Sequence, residues 1–264
     1  MTTGQITLAR HMPLYRNLVR REVRQRYRGS ALGLLWTLIT PAIMVGAYTL
    51  VFKFLLGITI PHYAVFLVLG LTVWTFFFGG AQMAASSLVN NASLVTKVSF
   101  PRQIIPLAAM TGNAFTAGAM LAVTLPLCLI FTEGSWAPLV VVPLLIGLLG
   151  LFTIGIGLLL ASVNVYFRDV EHILGAIGLP WIFVTPVFYS FSTNTALEDH
   201  AWAGYLLHWA NPIAPFVIAL QDSLFWGVWP TWGDLLYCVG AAAIMLAVGV
   251  RVFRRLEPEM AIEL

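Results

Sequence analysis

Six stretches of this chain are long enough and apolar enough to cross a lipid bilayer as helices, and no other feature constrains the fold as strongly. A hydrocarbon core about 30 Å thick takes about 20 residues of helix, and segments 31–56, 64–85, 104–132, 139–163, 173–192 and 235–253 all reach that length. The only ionic side chains inside them are Lys53 and Arg251, each near enough to a span end to snorkel to the interface. Charged residues make up 9% of the 264 and hydrophobic ones 59%, where a soluble domain carries roughly 25% charged. That excludes a soluble enzyme, a nucleic-acid binder and a disulfide-framed secreted domain. The expected fold class is an all-α polytopic membrane protein of six transmembrane helices. A seventh apolar region, 201–229, is interrupted by Asn211, Pro212, Pro215 and the Gln221–Asp222 pair. Its pieces are too short to cross, so it reads as a re-entrant or interfacial hairpin on the outer face, between spans five and six.

Charge placement orients the spans. Arg10, Arg16, Arg20, Arg21, Arg24, Arg26 and Arg28 precede the first span; Lys97, Arg102, Arg168, Arg251, Arg254 and Arg255 fall in alternate loops and the tail. Lys53 is the one basic residue of the 14 on the opposite side. The excess of Lys and Arg marks the cytoplasmic side, so both termini are expected there. A seventh crossing would strand the three tail arginines outside. Organisation follows: a basic segment at 1–30, a transmembrane domain at 31–256 and a cytoplasmic tail at 257–264. The first 30 residues lack the apolar core and small-residue cleavage site of a signal peptide. The first span is therefore expected to serve as its own insertion signal.

Several chemistries have no residues to carry them. There is no phosphate-binding G-x-x-x-x-G-K-[ST] loop, no H-E-x-x-H and no G-x-S-x-G, and the five histidines are scattered. No catalytic, metal or cofactor residues are expected in this chain. Proton- and ion-coupled transporters place carboxylates or histidines at mid-membrane; these spans have none. The chain reads as a passage or scaffold whose energy comes from elsewhere. Cys128 and Cys238 lie in apolar runs and read as small hydrophobes. Pro41, Pro126, Pro143, Pro180 and Pro186 predict kinked spans. Ala114, Gly118 and Ala122 form a small-residue stripe suited either to an intramolecular helix contact or to a dimer seam.

The segment before the first span is a basic amphipathic helix. Leu8, Met12, Tyr15, Val19, Val23 and Tyr27 recur at spacings of three and four, while Arg16, Arg20, Arg24 and Arg28 recur every four on another face. Such a helix lies in the headgroup plane and attracts anionic lipid; the alternative is that the arginines only set topology. After span two, Leu88, Ala92, Val95 and Val98 sit at helical spacing in a polar stretch that Pro101 ends, which suits either docking to a soluble partner or a solvated connector. Aromatic residues cluster near span ends, as an interfacial belt or as a surface on which sugars stack. Trp74, Phe76, Phe77, Trp181 and Phe183 are the candidates for the second role.

Residues 26–41, Arg-Tyr-Arg-Gly-Ser-Ala-Leu-Gly-Leu-Leu-Trp-Thr-Leu-Ile-Thr-Pro, resemble the opening signature of the ABC-2 type permeases that export polysaccharides. Residues 94–101, Leu-Val-Thr-Lys-Val-Ser-Phe-Pro, resemble that family's first coupling segment. Asn164-Val-Tyr-Phe-Arg168-Asp169-Val resembles its turn between spans four and five, and Asn211-Pro212 its outer re-entrant region. The resemblance implies a homodimer with two copies of a separate subunit that binds ATP and Mg. It implies as cargo a glycan on undecaprenyl diphosphate, wall teichoic acid first and O-antigen next. Leu94, Val95, Lys97, Val98, Phe100 and Pro101, assisted by Arg168 and Asp169, would contact the ATPase. Arg24, Arg26, Tyr27, Arg28 and Trp36 would receive the lipid diphosphate, since guanidinium groups bind phosphate oxygens bidentately; Arg24 and Arg28 are expected to share a helix face. The rival readings are a drug or small-lipid efflux permease of the same superfamily, and a non-transporting scaffold or channel.

Overall fold

In hydrocarbon an unpartnered backbone N–H or C=O has no water to bond, so apolar runs are driven into helix. The computed structural model of the protein describes residues 11–132, 134–191 and 201–264, and all the regular structure among them is helix. Sequence readings that fall on 1–10 or 192–200, those at Leu8, Arg10 and His200 included, lie outside the described residues, as do the side chains of Tyr27, Leu34 and Ala201. Helix α1 (Met12–Tyr27) carries Pro13 in its first turn, where a missing N–H costs nothing. A short 3-10 turn leads into α2 (Trp36–Leu55), and α3 (Tyr63–Asn90) contains a π-helical turn at Thr75–Gly79. Then come α4 (Ala92–Lys97), α5 (Ile104–Phe131), α6 (Ala137–Tyr166) and α7 (Asp169–Val184). The chain ends with α8 (Ala201–Trp209), α9 (Ala214–Trp226), α10 (Trp232–Leu256) and the short α11 (Met260–Glu263).

Helices α2, α3, α5, α6 and α10 are long and apolar enough to cross a membrane, and α8 with α9 forms a further apolar unit bent by 95° near Asn211 and Pro212. The fifth expected span differs most from its sequence reading. Helix α7 has 16 residues, about 24 Å of helix, and stops at Val184 rather than at 192. Thr185 precedes Pro186 and adopts the extended conformation that a following proline imposes (φ −87°, ψ 140°). Pro186 thus terminates a helix instead of kinking one, and Pro143 sits in the first α-helical turn of α6, after a 3-10 turn at Ala137–Val141, whereas Pro41, Pro126 and Pro180 do lie inside helices.

The small-residue stripe also behaves differently from one of its two readings. Gly118 and Ala122 are exposed, and Gly118 faces open space. The close helix crossing is between α6 and α10, where a Cβ on Gly249 would overlap the Gly155 carbonyl oxygen and one on Gly155 would overlap the Met245 backbone. Both cysteines are free and buried.

Two apolar cores divide the molecule. The larger surrounds α3, with Phe66, Phe77, Phe152, Phe216 and Leu220 at its centre. The smaller lies at the arginine-rich end and joins Leu18 of α1, Leu88 of α3, Val95 of α4, Ile104 of α5, Phe253 of α10 and Met260 of α11. At the far end the bend between α8 and α9 is pinned by polar contacts. Trp181 Nε1 donates to Asn211 Oδ1 (3.0 Å), Asn211 Nδ2 to Thr185 Oγ1 (2.9 Å) and Gln221 Nε2 to the Pro186 carbonyl (3.0 Å). His208 Nε2 meets Asp234 Oδ1 at 2.5 Å, while Asp234 Oδ2 accepts the Thr231 hydroxyl at the start of α10.

Candidate functional site

The arginine-rich end gathers the coupling candidates. Asn91, the residue before α4, is buried; its Nδ2 donates to the Ser87 carbonyl (2.8 Å) and its Oδ1 accepts from the Arg21 guanidinium. Helix α4 is thereby fixed to both α3 and α1. Val95 turns inward and is 2% exposed within the smaller core, so it packs α4 down and cannot serve as a docking plug. Leu94 and Phe100 pack partly against the same core. The helix ends at Lys97, and Val98 is extended (φ −127°, ψ 132°) and 49% exposed. The outward surface is therefore Thr96, Lys97, Val98 and Ser99, with Pro101 half-buried behind them.

Arg168 and Asp169 are exposed beside Phe167 in the turn between α6 and α7, with Asp169 in the first turn of α7, where the helix dipole favours an anion. Asn164 anchors that turn: its Nδ2 reaches the Ala85 carbonyl of α3 (2.9 Å) and Glu171 Oε1 (2.8 Å). The neighbouring Val165 belongs to the same small core as Val95, so the fold brings the two candidate coupling segments to one end of the bundle.

The headgroup candidates separate. Arg24, Arg26 and Arg28 are exposed, as is Trp36. Arg26 is engaged, donating to Thr116 Oγ1 (2.6 Å) and approaching Met83 Sδ. The expectation that Arg24 and Arg28 share a helix face fails, because α1 ends at Tyr27 and Arg28 is extended ahead of Gly29, which takes a positive φ of 79°. Helix α1 also rests on α5 of the same chain, with Leu18 buried and the Tyr15 hydroxyl 2.6 Å from Thr111 Oγ1.

Most aromatic candidates are core residues. Trp74 and Phe77 are buried, Trp74 stacks on Phe78 (4.9 Å between ring centroids), and Trp181 meets Phe77 edge-on (5.4 Å). Phe76 is half-buried against this core. Only Phe183 of the five is exposed. It stacks on Phe188 (5.1 Å), which in turn stacks on Phe52 (4.8 Å) and meets Tyr48 edge-on (4.9 Å), giving an aromatic seam between α2 and the end of α7.

Sequence reasoning missed three anchors. Asn113, alone in an apolar span, donates from Nδ2 to the Thr75 and Phe76 carbonyls at the π-helical turn of α3 (2.9 and 3.2 Å). Glu257 went unread, and Asn164 was quoted only as the start of a motif, with no role of its own. A single amide in a run of aliphatic residues is the signal that would have found the first.

Comparison with known proteins bears on these residues as one unit. The family model described as ABC-2 type transporter matches residues 13–225. The chain is 30% identical over 262 residues to the O-antigen export system permease protein RfbA of Myxococcus xanthus, covering 97% of this chain and 98% of that protein. It is 27% identical over 251 residues to the RfbA permease of Klebsiella pneumoniae, covering 91% and 90%.

Proposed function

The chain belongs to the ABC-2 type transporter family, and from that premise we propose that it is the permease of an exporter for an O-antigen-type polysaccharide. It is a multi-pass inner-membrane permease with no catalytic part in the reaction, and ATP hydrolysis lies in a separate subunit. In the proposed cycle two copies of this chain and two ATP- and Mg-binding subunits move an undecaprenyl diphosphate-linked glycan from the inner to the outer face. The observation that carries the cargo assignment is the end-to-end match to permeases named for O-antigen export. Wall teichoic acid, the first cargo expected from sequence, has no support among these relatives and gives way to O-antigen.

The residues take roles consistent with this reading. Lys97 and Val98, with Arg168 and Asp169, face the ATP-binding subunit and transmit its motion to α3 and α1 through Asn91 and to α3 through Asn164. Arg24, Arg28 and Trp36 meet the lipid diphosphate at the inner headgroup layer. The exposed faces of α2 and α7, with Phe52 and Phe183 between them, meet the second copy and offer sugar-stacking rings. The deciding experiment reconstitutes the permease with its ATP-binding subunit and measures ATPase stimulation. Lipid-linked O-antigen should stimulate and small amphiphiles should not; the reverse result favours the efflux reading. Orientation is checked by Ile262→Cys, at an exposed tail position, which should label only after the membrane is permeabilised. Labelling in intact cells would invert the topology.

A further inference from the structure

The C-terminal tail is built into the end of the molecule that carries the coupling segment. Glu257 Oε1 accepts the backbone N–H of Arg102 at 3.0 Å, and the Glu257 carbonyl accepts from the Arg102 guanidinium. The neighbouring Leu256 carbonyl accepts the Tyr166 hydroxyl (3.1 Å). Met260 is fully buried in the core that also holds Val95 and Ile104, and α11 packs on α4. Residues 98–103 are not helical, so the Arg102 N–H has no partner in a helix ladder; a tail carboxylate supplies one.

The segment and the tail together line a cleft of about 730 Å³. Lys97, Val98 and Arg102 come from one side of it and Arg254, Glu257 and Ala261 from the other. Lys97 and Arg254 are exposed and form no ion pair among the described residues. Glu257, the one carboxylate in the lining, is engaged with Arg102. The cleft is thus cationic, with an exposed valine beside the charges.

The geometry points to a composite docking cleft in which the C-terminal tail supplies half of the surface that seats the ATP-binding subunit, its occupant being a carboxylate-bearing segment of that subunit. Charge complementarity argues for that occupant. Glu257 is a positioning residue: it acts through the Arg102 backbone to hold 98–102 against the tail. The inference rests on the reading of the chain as a permease driven by a separate ATP-binding subunit.

The test measures affinity of the full-length permease in lipid nanodiscs for its own ATP-binding subunit, with and without added salt. Lys97→Glu combined with Arg254→Glu should weaken binding about tenfold or more and remove most of the salt dependence that a charged contact confers. Glu257→Leu and Glu257→Gln delete the same charge, so a purely electrostatic cleft would bind more tightly in both. The positioning role predicts instead that Glu257→Leu weakens binding about tenfold. Glu257→Gln, whose amide oxygen still accepts the Arg102 N–H, should stay near wild type. Equal behaviour of the two Glu257 variants overturns the positioning role, and wild-type affinity in the double charge reversal overturns the cleft. Should Glu257→Leu fail to fold, the charge reversal, at two exposed residues, decides alone. If the wild-type permease itself binds no ATP-binding subunit, the underlying reading falls along with the cleft.

Discussion

Consecutive spans α2 and α3 have mean hydropathies of 1.7 and 2.0, yet 6% of the most apolar stretch of α2 is buried inside the protein against 72% of that of α3. Lipid tails are as apolar as leucine, so hydropathy draws both helices into the membrane without deciding which faces meet protein. Polar pegs and close approach make that decision. The Tyr63 hydroxyl of α3 donates to the Phe188 carbonyl (2.9 Å), Asn113 of α5 holds its π-helical turn, and Asn164 of α6 takes its Ala85 carbonyl. Gly70 leaves room for Val187 to lie against the α3 backbone. Helix α2 keeps Ile43, Leu50, Phe54 and Leu55 on its outer surface, for lipid or a second copy to cover.

The sharpest way to break this contrast is a leucine at two glycines. Gly249→Leu forces a side chain into the Gly155 backbone and should abolish recovery of monodisperse protein in detergent. Gly46→Leu in α2, where nothing lies within 4 Å, should leave the yield unchanged. Equal yields would show that the α6–α10 crossing is not tight. Next in size is Phe77→Ala, expected to cost about 3–5 kcal/mol as a buried aromatic; Phe54→Ala, at a 74% exposed position, should fall within about 0.5 kcal/mol of wild type. Unfolding titrations in mixed micelles read both, and a loss for Phe54→Ala in the monomer would erase the distinction between the spans.

A smaller effect is expected from Asn113→Leu, which strips a donor from two carbonyls at the π-helical turn; interhelical hydrogen bonds in membranes contribute about 0.6–1.7 kcal/mol. The same titration checks it. Arg24→Gln with Arg28→Gln acts on binding rather than on folding. The two side chains leave different backbone conformations, so the change should cost a single charge-assisted hydrogen bond, about 1.5–3 kcal/mol at most. It would be read as a rise in the lipid-linked glycan concentration that half-stimulates the ATPase. An unshifted half-maximal concentration removes both arginines from headgroup recognition.

The spans were legible because backbone satisfaction in hydrocarbon leaves a chain little choice but helix, and their ends were legible where caps and prolines act locally. Pro186 was readable as a helix stop only with attention to Thr185 before it. Burial was not legible, since Phe77 and Phe54 are the same residue as text and differ only in what the fold sets opposite them. The candidate coupling segment was marked by its spacing and by a resemblance, but its inward and outward faces were confused at Val95, because a six-residue helix offers too few turns to show which side is packed. Glu257 was invisible for a different reason: its partner is the backbone of Arg102, and a backbone N–H leaves no mark in a sequence.

The central claim is ATP-driven movement of a lipid-linked polysaccharide through this permease. Proteoliposomes holding the permease and its ATP-binding subunit, with undecaprenyl diphosphate-linked O-antigen in the outer leaflet, test it directly. When ATP is added outside, glycan should become protected from an impermeant glycan-cleaving enzyme as it passes to the lumen, and a non-hydrolysable ATP analogue should give no protection. Glycan that stays fully cleavable while ATP is hydrolysed would contradict the account.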